Sequence, residues 1–310
     1  MKPEIKKTTP SWSIGSALDW TADYFSRLDI SEARLEAEIL LSSVLNCRRL
    51  DLHLRRDEVV PPEQLKQFRA FIEERRQRKP VAYILGEQEF MGLRFRVNEH
   101  TLIPRPETEL LVEETVKLVK AGHDSLLADI GTGSGAIAVS TAALSPLRKI
   151  YATDISFDTL KIAQENINAH GLAGRVIVKQ GNMLAALNGE SLEGSIDIII
   201  SNPPYVAEDE AADLAPELGF EPRAALFGGK DGLDFYRVLA KDARTYLKPE
   251  GFLLLELSAQ KSSLISDILE VAGFAIISLL KDYSGLDRVI IAQMKRNYHG
   301  QDRHSRGKEA

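Results

Sequence analysis

Two different periodicities divide this chain. Over residues 11–80 apolar positions recur at helical spacing. Ala17, Leu18, Ala22, Phe25 and Leu28 form one stripe, Leu35, Ile39, Leu40, Leu41, Val44 and Leu45 a second, and Leu65, Phe68, Phe71 and Ile72 a third that opens at Pro61-Pro62. Asp29-Ile30-Ser31 separates the first two, with Ser31 the expected N-cap. The pattern predicts a small helical bundle over 1–80, with Trp12, Trp20 and Tyr24 in its core and the charged run Glu73–Lys79 as a solvated helix face. From Glu89 to Val97 polar and apolar residues alternate on either side of Gly92, which predicts a β-hairpin inside a connector, 81–103. A new amphipathic helix is expected from Glu107 to Val119.

From Leu126 onward, the pattern becomes strand, helix, strand repeatedly. Strands are expected at 126–130, 149–153, 175–180, 196–201, 251–257, 274–280 and 287–293, with helices at about 135–144, 156–169, 232–247 and 261–272. Such alternation predicts an α/β fold with a mostly parallel, seven-stranded sheet covered on both faces over 104–296. The tail, 297–310, is polar without periodicity and is expected to be disordered.

Composition narrows the function classes. The 310 residues are 44% hydrophobic and 27% charged, enough to bury a full core. The net charge of −6 argues against a broad nucleic-acid-binding face. The charge is uneven: the first 80 residues carry +2 and the remainder −8. Cys47 is the only cysteine, which excludes an internal disulfide and a cysteine-based metal site. The histidines (His53, His100, His123, His170, His299 and His304) lack metal-ligand spacing, and no metal is expected. Met1 to Trp20 has no apolar core of signal-peptide length, and no run approaches a membrane span, so a cytoplasmic location is the expectation.

The candidate chemistry lies in two loops. Ile196-Asp-Ile-Ile-Ile-Ser201 is a strand pattern that Asn202-Pro203-Pro204-Tyr205 stops abruptly. Neither proline has an N–H, and each forces extended geometry on the residue before it. The loop therefore presents backbone carbonyls, one amide side chain and one aromatic face, a set suited to a planar group carrying an N–H₂. The second loop, Asp129-Ile130-Gly131-Thr132-Gly133-Ser134-Gly135, follows the first strand of the α/β part and opens its helix. Its glycines allow a tight turn and close approach of a ligand, in Gly-x-Gly-x-Gly spacing rather than that of dinucleotide binders. Asp154 ends the next strand, where a carboxylate can accept both hydroxyls of a ribose, and Asp129 is expected to reach the same ligand nearer its amino-acid end.

The glycine-rich loop with Asp154 in register resembles class I S-adenosylmethionine-dependent methyltransferases. Asn202-Pro203-Pro204-Tyr205 narrows the resemblance to the HemK/PrmC family, protein-glutamine N5-methyltransferases that modify the Gly-Gly-Gln loop of class I peptide-chain release factors. The resemblance runs from the helical start to about residue 293. It includes Tyr83-Ile84-Leu85-Gly86, Leu102-Ile103-Pro104-Arg105-Pro106-Glu107-Thr108-Glu109, Phe220-Glu221-Pro222-Arg223 and Gly228-Gly229-Lys230-Asp231-Gly232-Leu233-Asp234. It implies S-adenosylmethionine as cofactor, held by Asp129, Gly131, Thr132, Gly133, Gly135, Asp154, Asn182 and Asn202. It implies catalysis by Asn202, Pro203 and Tyr205, with Pro204, Arg105 and Glu107 joining them in substrate binding. Two positions depart from the family pattern: Asn182 stands where an acidic residue usually meets the adenine amino group, and Glu256-Leu257-Ser258 replaces Glu-x-Gly.

In the implied mechanism the Asn202 side-chain oxygen and the Pro203 carbonyl accept the two N–H bonds of the acceptor amide, while Tyr205 packs against its plane. The helical region is then a substrate-recognition domain. Alternative readings are an adenine or cytosine amino-methyltransferase acting on nucleic acid, a glutamine methyltransferase of a ribosomal protein, and a cofactor-binding regulatory module. The chain has no basic target-recognition segment of the kind the first would need, and direct nucleic-acid or membrane binding is not expected.

Overall fold

The computed structural model describes residues 12–119 and 124–296, so the expected tail lies outside the described residues. The chain divides into two compact units, one ending at Gly86 and one beginning at Glu87.

The first unit is helical: α1 (Ile14–Arg27), α2 (Ala33–Leu45), α3 (Arg49–Leu54), α4 (Pro62–Arg76) and α5 (Val81–Leu85). Ser13 caps α1 by accepting the Ser16 N–H, and Gly86 ends α5 in the left-handed conformation. Leu18, Phe25, Leu40, Leu41, Leu52 and Phe68 form its core. Four details differ from the sequence reading. Ser31 is not a cap: Asp29 takes a positive φ, the turn runs on, and α2 starts after Glu32 without a side-chain cap. The short α3 was invisible to periodicity and is secured by Asp51, whose carboxylate accepts the Arg48 N–H at 3.0 Å. Arg75 is not solvated, because it turns inward and pairs with Glu36 at 2.6 Å. Trp20 is no core residue either; it is 49% exposed and stacks on Tyr24.

The second unit opens with the hairpin β1 (Glu87–Phe90) and β2 (Leu93–Arg96), paired antiparallel. Phe90 and Phe95 are buried in this unit's own core, so the stretch read as a connector is shared out, α5 to one unit and the hairpin to the other. A 3₁₀ turn at Pro106–Thr108 leads into α6 (Glu109–Leu118). There follow β3 (Leu126–Ile130), α7 (Ala136–Leu144), β4 (Lys149–Asp154), α8 (Phe157–Ala169), β5 (Val176–Gln180) and β6 (Ile196–Ser201). The chain continues through α9 (Arg223–Leu226), α10 (Asp234–Tyr246), β7 (Leu247–Glu256), α11 (Ser262–Val271), β8 (Phe274–Lys281) and β9 (Asp287–Met294).

The seven strands β3–β9 form one sheet in the order β5-β4-β3-β6-β7-β9-β8, parallel except for β9, which is antiparallel to both neighbours. Alternation along each strand sends Leu127, Ile198, Ile200 and Leu254 to one face, under α6 and α7, and Ala128, Ile199, Leu253 and Leu255 to the other, under α10 and α11. The arrangement is the Rossmann-like, mostly parallel sheet of class I methyltransferases. β7 starts four residues earlier than expected: Lys248-Pro249-Glu250-Gly251 reads as a turn, yet Leu247 already pairs with Ile196 ahead of a bulge. Strand order reverses between β3 and β6, and the loops that leave their carboxyl ends border a crevice, the place where open α/β sheets bind ligands. No helix of the described residues is long and apolar enough to cross a membrane.

Candidate active site

A cavity of about 430 Å³ fills that crevice. Gly131 and Gly133 border it from the end of β3, Asp154 from β4, Asn182 from beyond β5, and Asn202, Pro203 and Pro204 from beyond β6. Asp129, Thr132, Gly135, Tyr205, Arg105 and Glu107 are not in its wall.

The glycine-rich loop is fixed from below. Gly131 and Thr132 donate their N–H groups to the Thr153 carbonyl, and all three glycines have positive φ, which the loop's tight reversal requires. Asp129 is fully buried beneath the loop and accepts the Thr132 hydroxyl at 2.6 Å, while its Oδ1 has no partner. Burial pushes its pKa up to about 7. Asp154 accepts the N–H groups of Gly133 (3.1 Å) and Ser156 (3.0 Å), and burial raises its pKa as well. Asp154 retains lone pairs toward the cavity, Ile155 lies 60% exposed at the rim, and Asn182 and Met183 follow β5. A carboxylate in the wall that could accept ribose hydroxyls, bare backbone at the tight turn and apolar flanks fit S-adenosylmethionine.

The second loop is built from main chain. Ser201 Oγ donates to the Ile130 carbonyl at 2.6 Å, tying the end of β6 to the end of β3. Asn202 donates through Nδ2 to the Thr108 hydroxyl at 3.1 Å, which in turn donates to buried Glu256 at 2.6 Å. Burial pushes the Glu256 carboxyl up to about 7. Lys261 donates to the Tyr205 carbonyl at 2.7 Å, and the half-buried ring packs against the sheet core, where burial first and the Glu256 charge second raise its hydroxyl pKa. Behind the loop sits Gly228–Asp234. A Cβ at Gly228 would come within 2.4 Å of the Pro204 carbonyl oxygen, and one at Gly232 (φ +74°) within 2.3 Å of that of Tyr205. Both glycines are there to let two backbones touch.

Arg105 forms an ion pair with the buried carboxylate of Glu221, which also accepts the Ile103 N–H at 3.0 Å. The pair joins Pro104–Glu109 to Phe220–Arg223, and Glu107 is exposed beside it. Among the residues that sequence reasoning missed are Thr108 and Glu256 behind the loop, and His100 and Phe235 in the cavity wall. Thr108 and Glu256 lie within segments singled out for other reasons, whereas His100 and Phe235 gave no signal.

This constellation has counterparts. A PrmC N-terminal domain model matches residues 16–86, and a methyltransferase small domain model matches 106–229. The release factor glutamine methyltransferase of Geobacter sulfurreducens is 39% identical over 290 residues, covering 93% of this chain and 97% of the relative. The chain belongs to the release factor glutamine methyltransferase family. The Cereibacter sphaeroides family member is 41% identical, over 86% of this chain and 92% of its own. At the level of fold alone, a methyltransferase structure from Pyrococcus furiosus matches with TM-score 0.51 and 19% identity over 74% of this chain and 98% of its own. The chain is accordingly an S-adenosylmethionine-dependent methyltransferase.

Proposed function

We propose that this chain methylates the side-chain nitrogen (N5) of the glutamine in the Gly-Gly-Gln loop of class I release factors, in the cytoplasm. The observation that supports this most is the Asn202 amide, held at Nδ2 by Thr108 so that its oxygen is turned away toward an incoming donor. An amide nitrogen is a weak nucleophile because its lone pair is delocalised into the carbonyl. Asn202 Oδ1 and the Pro203 carbonyl together accept both of its N–H bonds, aim the nitrogen, and favour positive charge developing on it. Bound S-adenosylmethionine supplies an activated methyl group. Asp154 holds the ribose, Gly131 and Gly133 admit the ligand to the backbone, and Asn182 accepts from the adenine amino group. Tyr205, its hydroxyl pKa raised further by burial, braces the loop against the core. Arg105 contributes by fixing Glu221 and the Ile103 backbone, and Glu107 is left for the protein substrate.

Mass spectrometry of a release factor incubated with the protein and S-adenosylmethionine tests the reading. One methyl group on the Gly-Gly-Gln glutamine is expected; methylation elsewhere, or of adenine in added nucleic acid instead, refutes it. The helical unit is proposed to read the release factor away from the reacting amide. Its removal should then lower kcat/KM on an intact release factor far more than on a short Gly-Gly-Gln peptide, and equal losses would refute that role.

A further inference from the structure

Glu256 is a fully buried carboxylate at the carboxyl end of β7, and none of the roles above uses it. Its Oε2 accepts the Thr108 hydroxyl at 2.6 Å, and Thr108 Oγ1 accepts Nδ2–H of Asn202 at 3.1 Å. We propose that Glu256, acting through Thr108, is a positioning residue that sets which end of the Asn202 amide faces the acceptor, an inference that rests on the glutamine reading above.

The argument is one of hydrogen-bond polarity. An ionised carboxylate only accepts. Thr108 has one proton, so while Glu256 is charged that proton goes to Glu256 and only lone pairs remain for Asn202. The Nδ2 end alone can satisfy them, which leaves Oδ1 free for an N–H of the substrate. A neutral Glu256 lifts the constraint. It can give its own proton to Thr108, whose hydroxyl then turns to donate to Oδ1, and the amide rotates by half a turn. The rotated side chain sets N–H₂ against the N–H₂ of the acceptor, donor against donor, and the loop loses its function without losing its shape.

The surroundings put this device in a useful range. Arg288 from β9 and Arg105 favour the charged form of Glu256, and Glu107 opposes it. The Tyr205 and Tyr236 hydroxyls stand nearby, with Tyr236 donating to the Glu256 backbone carbonyl at 2.9 Å. Burial outweighs the arginines and places the titration at about 7. Glu256 is therefore held where modest changes in pH move it between the two states.

Thr108→Val keeps the shape and deletes both halves of the relay. It is expected to lower kcat by about 10- to 100-fold with the Kd for S-adenosylmethionine unchanged, and Thr108→Ser should restore the rate. Wild-type kcat should fall as pH drops through about 7, and Glu256→Gln should remove that limb. NMR of the Asn202 side-chain amide in the full-length protein gives a reading independent of turnover. Its resonances should titrate near pH 7 in the wild type and stay flat in Glu256→Gln. Native kcat in Thr108→Val, equal losses of rate and cofactor affinity, or an Asn202 amide indifferent to pH would each overturn the proposal. A wild type that leaves glutamine unmodified would refute the substrate reading instead, and the amide titration would still decide the positioning role.

Discussion

Two carboxylates in this protein, Asp129 and Glu256, invite comparison. Both stand at carboxyl ends of the sheet, on strands that flank β6, both are fully buried, and both are raised to about 7 by burial. Each accepts a threonine hydroxyl at 2.6 Å. They differ in what the threonine belongs to. Asp129 holds Thr132, three residues on, and so braces the glycine-rich loop that its own strand leads into. Glu256 holds Thr108, 148 residues away, and through it the Asn202 amide on a third segment. Asp129 keeps one oxygen without a hydrogen-bond partner, whereas Glu256 lies in the field of Arg288 and Arg105. One chemical device thus supports the cofactor loop locally and the acceptor loop over a long range.

The comparison breaks most visibly at the acceptor loop. Asn202→Ala should lower turnover by about 10²–10³ or more while S-adenosylmethionine binding, read by calorimetry, stays near native. Near-native turnover would remove Asn202 from the mechanism. Next comes the backbone behind it. Gly232→Ala combines a strained φ of +74° with a Cβ at 2.3 Å from the Tyr205 carbonyl oxygen. A loss of about 1–3 kcal/mol in denaturant unfolding is expected, together with a lower kcat.

A third measurement asks whether the two carboxylates are equivalent. Their folded pKa values lie above the ordinary 3.8 and 4.5, so each binds a proton more readily in the folded state. The stability they contribute is full below pH 4 and is lost as pH rises through about 7. Without cofactor, Asp129→Asn and Glu256→Gln should each gain stability relative to the wild type as pH goes from 4 to 7. If only one variant shows the gain, the other carboxylate is stabilised by partners more than it is penalised by burial. The smallest effect is expected at Asn182→Asp, where a charged acceptor for the adenine amino group should tighten cofactor binding by about two- to fivefold in a titration. Unchanged or weaker binding would place Asn182 elsewhere.

The same contrast explains how much the sequence disclosed. The strands were legible because buried parallel strands must be continuous apolar runs, and the two loops because glycine and proline mark backbone that cannot be built otherwise. The Asp129–Thr132 pair lies within one short motif. The link from Glu256 to Thr108, like that from Arg105 to Glu221, joins segments that the chain visits more than a hundred residues apart, and no local pattern encodes such a pairing. Arg75 misled for a related reason: a charge in a charged run reads as solvated until its partner, Glu36, is found on another helix. Trp20 misled in the opposite sense, since a large apolar ring is assigned to the core by its chemistry although its position on α1 leaves it half exposed.

The acceptor wall has one further property. Pro203 and Pro204 have a fixed φ, Gly228 and Gly232 press bare backbone against the carbonyls of Pro204 and Tyr205, and Lys261 pins the latter. Few internal rotations are left to freeze. The loop's loss of conformational entropy was therefore met when the chain folded, and an arriving amide finds acceptors already ordered, with only its own freedom to give up.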